Sequence, residues 1–457
     1  MEKGNEQLDP AEVAPGAVLV VGGGIVGLHA ALALADAGAE TIVVEQGPIL
    51  GGKRAAWLAG EGDLDPRLAA VGDNAAIEVL TLTELTGLGG EAGDFSATIL
   101  QRPRFVNDDC TRCNHCVPVC PEAVPNEYDA GLTFRKAIHS PLPETIPNIY
   151  AIDIDSCLNM PPNYLPCQRC VEACDDHAIH FDMLVPEPAE RRVAAVILAT
   201  GFADNDDAER ATLEEFGYGQ HPDVVSSVEL QRLLEAPGPS GGYAIKPSDE
   251  AYPDSVMLVL TRVSAYTTWV MGNQLRRLAG QNIAQLTVLV LAPPGGGDEL
   301  EDLAQTAASC GATLRWGNWI GVEPGEDQQL QVRYAELPSG RQHEQCVDLL
   351  ALSSEAHADA GAEALAQILE LERDEQGYLS PSRPGIYIVG GALGTVGIER
   401  GAEQAREAAQ AALQHVELAG PEEQVEAPQD WGELPAAVQQ QYLEKMLHSL
   451  VRLGGGS

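Results

Sequence analysis

The chain has 457 residues, enough for two to four domains, and 45% of them are apolar. This composition is typical of a globular α/β protein with an ample core and excludes a disordered chain. Its 68 acidic and 27 basic residues give a formal charge of −41, which argues against a surface for nucleic acid or anionic lipid. The acidic excess indicates either solubility and a general acidic bias, or docking to a basic partner.

The N-terminus is polar and lacks a secretory signal, and the apolar runs are much shorter than the ~20 residues of a membrane span. We therefore expect a cytoplasmic protein without a membrane span, which reaches a membrane only through partner subunits. Eight of the ten cysteines lie between positions 110 and 174. Such crowding indicates metal binding in a reducing compartment rather than disulfides.

Residues 17–45 read as a buried strand, a glycine turn, a helix and a second strand. The turn has the spacing Gly22-x-Gly24-x-x-Gly27, and Glu45 ends the second strand. This context predicts a dinucleotide site: Gly22 makes the turn, Gly24 admits the diphosphate, and Gly27 permits close packing of helix on strand. Glu45 would accept hydrogen bonds from the adenosine ribose. The alternative is a purely structural glycine turn.

Three further stretches decide which dinucleotide is expected. They are Gly51-Gly52-Lys53, Ala199-Thr200-Gly201 and Gly390-Gly391. Together they resemble the turns through which two-dinucleotide flavoproteins leave and re-enter their FAD domain. The resemblance implies FAD, with Gly52, Lys53, Thr200, Gly201, Gly390 and Gly391 beside it.

A second α/β region is expected at 204–380, with strands at 255–260, 286–292 and 347–352. A nicotinamide dinucleotide would need a glycine turn directly after the first of these strands. The next glycine is Gly272. We therefore predict a Rossmann-like scaffold that does not bind NAD(P).

Between 106 and 182, cysteine, proline, asparagine and aspartate dominate. Cys110-x-x-Cys113-x-x-Cys116-x-x-x-Cys120-Pro121 is the bacterial ferredoxin pattern, in which the fourth cysteine binds the other cluster of a pair. The second group repeats it with a stretched first spacing and no proline after its last cysteine. We predict two 4Fe–4S clusters, bound by Cys110, Cys113, Cys116 and Cys174, and by Cys157, Cys167, Cys170 and Cys120.

Two alternatives to this pair of clusters stay open. C-x-x-C pairs also bind zinc, and the irregular second group could hold an altered or labile cluster. The isolated cysteines Cys310 and Cys346 are expected to be small buried hydrophobic residues.

The predicted fold is therefore an α/β two-dinucleotide-binding-domain flavoprotein, with a Rossmann-type FAD domain and an inserted ferredoxin-like module for two 4Fe–4S clusters. The expected divisions are a flexible N-terminus (1–16), an FAD domain in three parts (17–105, 183–203 and 381–418), the cluster module (106–182), the second Rossmann-like domain (204–380), and a linker with a C-terminal helix (419–457).

The chain resembles the flavin- and cluster-bearing iron–sulfur subunit of heterodisulfide reductase and its relatives. The likeness covers residues 17–415 and is most specific at 20–54 and 106–201; it includes the link 126–138 and the stretch 246–260. The resemblance implies an electron-transfer subunit of a heterodisulfide-reductase-like complex, which passes electrons between FAD and two clusters in sulfur or energy metabolism, with other redox subunits as partners. A homodimer stays open.

Two other functions are kept as alternatives. One is the flavin subunit of a quinone-interacting oxidoreductase linked to adenylylsulfate reductase, and the other is a stand-alone NAD(P)H-dependent flavin and iron–sulfur oxidoreductase. The chain departs from the heterodisulfide reductases by lacking cysteines at 55–76 and at 262–266, which puts flavin-based electron bifurcation in doubt. No acid–base constellation is found, so no catalytic side chain is predicted.

Overall fold

The computed structural model describes residues 16–52, 66–142, 144–161, 163–183, 188–204, 206–236, 238–293, 297–325, 328–394 and 397–416. Lys53, the N-terminal residues 1–15 and the residues 417–457, which include the expected C-terminal helix, lie outside these ranges.

A five-stranded parallel sheet is assembled from three distant parts of the chain. Its central strands are buried throughout, as apolar runs are when both faces of a sheet are covered. The helices Ile25–Asp36 and Ile398–Ala412 pack against each other on one face, and Pro66–Gly72 lies beside the first of them. In spatial order the strands are Ile386–Ile388, Ala195–Leu198, Val18–Val21, Thr41–Glu45 and Ile77–Thr81. This is a Rossmann-type arrangement with the first strand of the chain at its centre.

The other face of this sheet is covered by a small antiparallel sheet and the helix Ala362–Leu369. The buried side chains of Leu19, Phe95 and Leu369 belong to the core between these layers. In spatial order the three strands are Ala189–Val193, Asp94–Gln101 and Thr83–Glu91.

A seven-stranded mixed sheet forms the second α/β region. Five strands run parallel, and the fifth continues into an antiparallel hairpin that widens the sheet. The strands, in spatial order, are Val224–Ser226, Leu349–Leu352, Ser255–Leu260, Gln285–Val290, Thr313–Pro324, Leu330–Glu336 and Gln342–Val347. The helices of this region are Ser227–Leu233, Ala265–Ala279 and Gly297–Ser309.

Short elements join the two larger sheets. Phe202 stacks edge-on against Tyr266, whose hydroxyl donates to Asp204 Oδ2 at 2.5 Å. These connecting elements are the strand pairs Phe202–Ala203 with His357–Ala358 and Glu372–Arg373 with Leu379–Ser380, the helix Asp207–Leu213, and the 3₁₀ turns Glu214–Phe216, Gly390–Ala392 and Leu413–His415.

The cysteine-rich residues 106–182, called the insert below, form a unit of short elements. Val106 pairs antiparallel with Ile179, so the two ends of the insert lie side by side. Its core mixes cysteines with apolar side chains such as Ile138 and Tyr150. The elements are the helices Cys116–Val119 and Arg169–Glu172, the 3₁₀ turn Glu127–Asp129, and the strand pairs Val124–Pro125 with Phe134–Arg135 and Ile138–His139 with Ala151–Ile152.

Two arginines join the insert to the sheets. Arg104 donates to Thr81 Oγ1 at 2.7 Å, to the Pro48 carbonyl, and to the Tyr150 carbonyl at 3.5 Å. Burial lowers the pKa of Arg104 to about 10. Arg232, on a helix of the seven-stranded sheet, donates to Asp129 of the insert at 2.8 Å. The insert is therefore tied to both sheets.

No helix in the part of the chain that the structure describes is long and apolar enough to cross a lipid bilayer.

Candidate functional site

The glycine turns predicted to hold a dinucleotide meet at the carboxyl edge of the parallel sheet. Gly22 lies against the backbone of Ala199 and Thr200, and Gly24 pairs with Gly51 as an isolated bridge. A Cβ built at Gly52 would lie 3.6 Å from Gly24 Cα. On the far side, Gly390 contacts Val26, and Gly391 contacts Gly201. Turns from four distant segments therefore surround the start of one helix.

Gly22 and Gly27 are required by the packing of the protein itself. Gly22 has φ +105°, and its Cβ would lie 2.4 Å from the Ala199 carbonyl oxygen. A Cβ at Gly27 would lie 1.9 Å from the Gly22 carbonyl oxygen. Both positions therefore exclude any side chain.

Gly24 differs because the space beside it is open. A Cβ there would meet no atom within 4 Å, and its φ of −73° suits any residue. Gly24 is the N-cap of the helix Ile25–Asp36, which has no side-chain cap and no acidic residue in its first turn. The backbone N–H groups at this helix start have room for a diphosphate.

Glu45 lies next to this helix start. Its Oε2 accepts from the Gly23 N–H at 2.8 Å and its Oε1 from the Gly47 N–H at 2.7 Å. Burial raises the pKa of Glu45, and these backbone hydrogen bonds oppose the shift. Each carboxylate oxygen keeps a lone pair for a further donor such as a ribose hydroxyl.

From Glu45 a cavity of about 480 Å³ extends between the parallel sheet and the insert. This volume is in the usual range for a small-molecule site. One wall follows the strand ends at Gln46, Pro48 and Leu82. The opposite wall belongs to the insert. Together with the open space at Gly24, the cavity fits an extended dinucleotide.

The eight cysteines of the insert lie around two separate cavities. The first cavity is lined by Cys110, Cys113, Cys116 and Cys174, and the second by Cys120, Cys157, Cys167 and Cys170. These are the same two groups of four that the ferredoxin pattern predicts. Ile138 lines both cavities, so a single side chain lies between them.

The environment of these sulfurs differs from that of a single-metal site. Zinc bound by four thiolates requires sulfurs within ~4 Å of one another. Among the described residues, no three His, Cys, Asp or Glu side chains come together closely enough to hold one metal ion. Burial raises the pKa of Cys116 to about 12 and that of Cys170 to about 11. Without metal, these two groups would stay neutral thiols at physiological pH.

The expectation for the two isolated cysteines was wrong. Cys346 is exposed and Cys310 is partly exposed. The reason is strand geometry: Cys346 lies on an outer strand whose successive side chains alternate between the two faces of the sheet.

The second glycine-poor turn has its own helix start. Ser264 caps the helix Ala265–Ala279: its hydroxyl accepts from the Thr267 N–H at 3.2 Å, and the Thr267 hydroxyl accepts from the Ser264 N–H at 3.0 Å. The Ser264 hydroxyl also lies 3.0 Å from Glu355 Oε1. A carboxylate thus lies at the place where a second dinucleotide would put its diphosphate.

Sequence reasoning missed three residues of this region: Arg104, Tyr128 and His139. Arg104 binds the strand ends, and the other two line the large cavity from the insert. None belongs to a spaced motif, so only the fold reveals them.

The comparisons with known proteins agree with this site. Residues 17–105 match the family model described as FAD dependent oxidoreductase. With the Rossmann-type sheet and the converging glycine turns, this makes the chain an FAD-dependent oxidoreductase.

The chain is homologous to iron–sulfur subunits of heterodisulfide reductases. It is 38% identical over 251 residues to the iron–sulfur subunit of the CoB–CoM heterodisulfide reductase of Methanocaldococcus jannaschii, covering 53% of this chain and 36% of that protein. It is 30% identical over 438 residues to the equivalent subunit of the H₂:CoB–CoM heterodisulfide,ferredoxin reductase of Methanothermobacter marburgensis, covering 88% and 65%. The chain therefore spans less than two thirds of these relatives.

Among solved structures, thioredoxin reductase of Lactococcus lactis aligns with a TM-score of 0.47 and 14% identity. The alignment covers 88% of this chain and 98% of that chain.

Proposed function

We propose that the chain is the electron-transfer subunit of a heterodisulfide-reductase-like complex, passing electrons between FAD and two 4Fe–4S clusters on a ferredoxin-like insert. One observation supports this above the others. The insert divides its eight cysteines into two groups of four around adjacent cavities, and the same insert forms a wall of the cavity that begins at Glu45.

The strand pair at the centre of the insert relates these cavities. Ile138 lines both cysteine cavities, and Ile152 lines the second cysteine cavity and the large one. Only one side chain would separate neighbouring redox groups, which favours rapid electron transfer between them. FAD, when bound, exchanges electrons in pairs or singly, whereas a cluster takes one at a time.

The residues of the chain would act by binding and positioning. The cysteines hold the clusters, the helix start at Gly24 receives the diphosphate, and Glu45 receives the ribose. The partners would be the other redox subunits of the complex, because the relatives named above are themselves subunits. Purifying the chain from its source with its native partners, and identifying them, tests this part.

The cluster assignment is tested by anaerobic iron and sulfide analysis. The chain should contain about eight iron and eight sulfide. Cys113→Ala and Cys167→Ala should each lose about four iron, because each removes a ligand from a different set. Cys346→Ala, an exposed cysteine outside the insert, is the control and should lose none. Stoichiometric zinc without iron, or equal iron in all four proteins, would contradict the proposal.

A further inference from the structure

The large cavity is built by two parts of the chain that are far apart in sequence. Glu45, Gln46 and Leu82 line it from the parallel sheet, and Tyr128 and His139 line it from the insert. A ligand that enters past Glu45 must therefore touch the insert.

The insert is fixed against this part of the sheet by apolar and backbone contacts. Ile49 and Leu142 are buried together, and Tyr128 packs against them. The Leu50 N–H donates to the Ile146 carbonyl at 2.8 Å. The cavity wall formed by the insert is thus a fixed surface beside the glycine turns.

His139 is the unusual polar group of this wall. Its side chain is only 8% exposed, and its Nδ1 lies 3.3 Å from the Ala137 carbonyl oxygen. Because a carbonyl oxygen can only accept, this contact places the proton on Nδ1 and leaves Nε2 with a lone pair. Nε2 is buried and has no hydrogen-bond partner among the described residues. A buried acceptor without a donor costs free energy, so this atom is suited to a ligand that brings a donor.

The imidazole is held in its neutral form. Burial lowers the pKa of His139, and the nearby Arg135 cation lowers it further. The ring of Tyr128 lies 6.4 Å from that of His139, tilted by 44°. An aromatic pair with one bare acceptor fits a flat heterocycle that carries an amino group.

We infer that the insert completes the adenine site of FAD, and that His139 Nε2 accepts a hydrogen bond from the exocyclic amino group of adenine. The inference rests on the FAD site of the proposed function. With the diphosphate at Gly24 and the adenosine ribose at Glu45, the adenine is the part of FAD that reaches this cavity. The module that bears the cysteines would thereby also read the identity of the flavin cofactor.

The test compares FAD with its deaminated analogue, flavin hypoxanthine dinucleotide, in which a carbonyl replaces the adenine amino group. Both are titrated into the flavin-depleted full chain, and binding is followed by quenching of flavin fluorescence. We expect the wild-type chain to bind FAD about tenfold more tightly, because the analogue faces Nε2 with an acceptor instead of a donor. His139→Leu should bind the two equally.

The matched control is His180→Leu, an exposed histidine of the insert outside the cavity lining, which should keep the wild-type preference. Equal binding of the two flavins by the wild-type chain would overturn the inference without any variant. A preference that survives in His139→Leu would overturn the role of His139. If the wild-type chain binds neither flavin, the FAD site itself fails, and this inference fails with it.

Discussion

Two glycines of the same turn have different reasons to be glycine. Gly27 has no room for a side chain, since its Cβ would lie 1.9 Å from the Gly22 carbonyl oxygen. Gly24 has room, and its backbone conformation is open to any residue. Its glycine therefore serves the ligand rather than the fold.

Gly24→Val should weaken FAD binding roughly 100-fold, about 2.7 kcal/mol, while the fold is kept. The valine side chain would occupy the space of the diphosphate and touch nothing in the protein. The measurements are flavin content after equilibrium dialysis and circular dichroism of the same sample.

Gly89→Val is the matched control, because Gly89 also has open space beside it but lies on an exposed strand. It should bind FAD like the wild type. Native flavin content in Gly24→Val would show that the diphosphate lies elsewhere.

At the scale of elements, the start of the helix Ala265–Ala279 distinguishes the two α/β regions. The helix start at Gly24 is uncapped, whereas Ser264 and Thr267 cap each other and the Glu355 carboxylate lies beside them. Capping satisfies N–H groups that a diphosphate would need, and a fixed negative charge repels it.

We therefore predict that neither NADH nor NADPH reduces the isolated chain at a useful rate, while dithionite reduces both flavin and clusters. The measurement is anaerobic stopped-flow absorbance of the flavin band. Glu355→Gln should stay unreactive as well, because removing the charge leaves the capping pair of Ser264 and Thr267 in place. Complete bleaching by NADH within seconds would favour a stand-alone oxidoreductase.

Some of these elements could be predicted from the sequence, and others could not. Ser255–Leu260 and Val18–Val21 are runs of apolar residues, and such runs identify central strands directly. The strand Thr313–Pro324 and its hairpin partners have mixed exposure without a clean period, so their pairing depends on neighbours that the sequence does not identify. The cysteine spacing predicted which residues group together. His139 gave no signal because its role depends on the packing of the insert.

At the scale of the whole molecule, a buried ion pair connects the insert to the seven-stranded sheet. Arg232 is 6% exposed and contacts both Asp129 of the insert and Glu235 of its own helix. Removing the arginine would leave two carboxylates buried without their cation.

Arg232→Met should destabilise the docking of the insert by about 3–5 kcal/mol, the usual cost of breaking a buried pair. The midpoint of urea-induced loss of cluster absorbance, which follows the insert, measures it. The control is Arg192→Met, which breaks the exposed pair with Asp94 and should leave this midpoint unchanged. Equal midpoints for Arg232→Met and the wild type would show that the insert is held without this pair.

The pairing of Val106 with Ile179 has a consequence for how such a chain can arise and be rebuilt. Because the Asn107 N–H also bonds to the Ala178 carbonyl at 2.9 Å, everything between them hangs from one narrow stem. A stem of this kind makes the intervening seventy-odd residues a cassette, which can be exchanged without re-routing the strands on either side. The flavin scaffold and its wiring could thus have been acquired separately, and a chain closed by a short turn across the stem would be a flavoprotein with no wire.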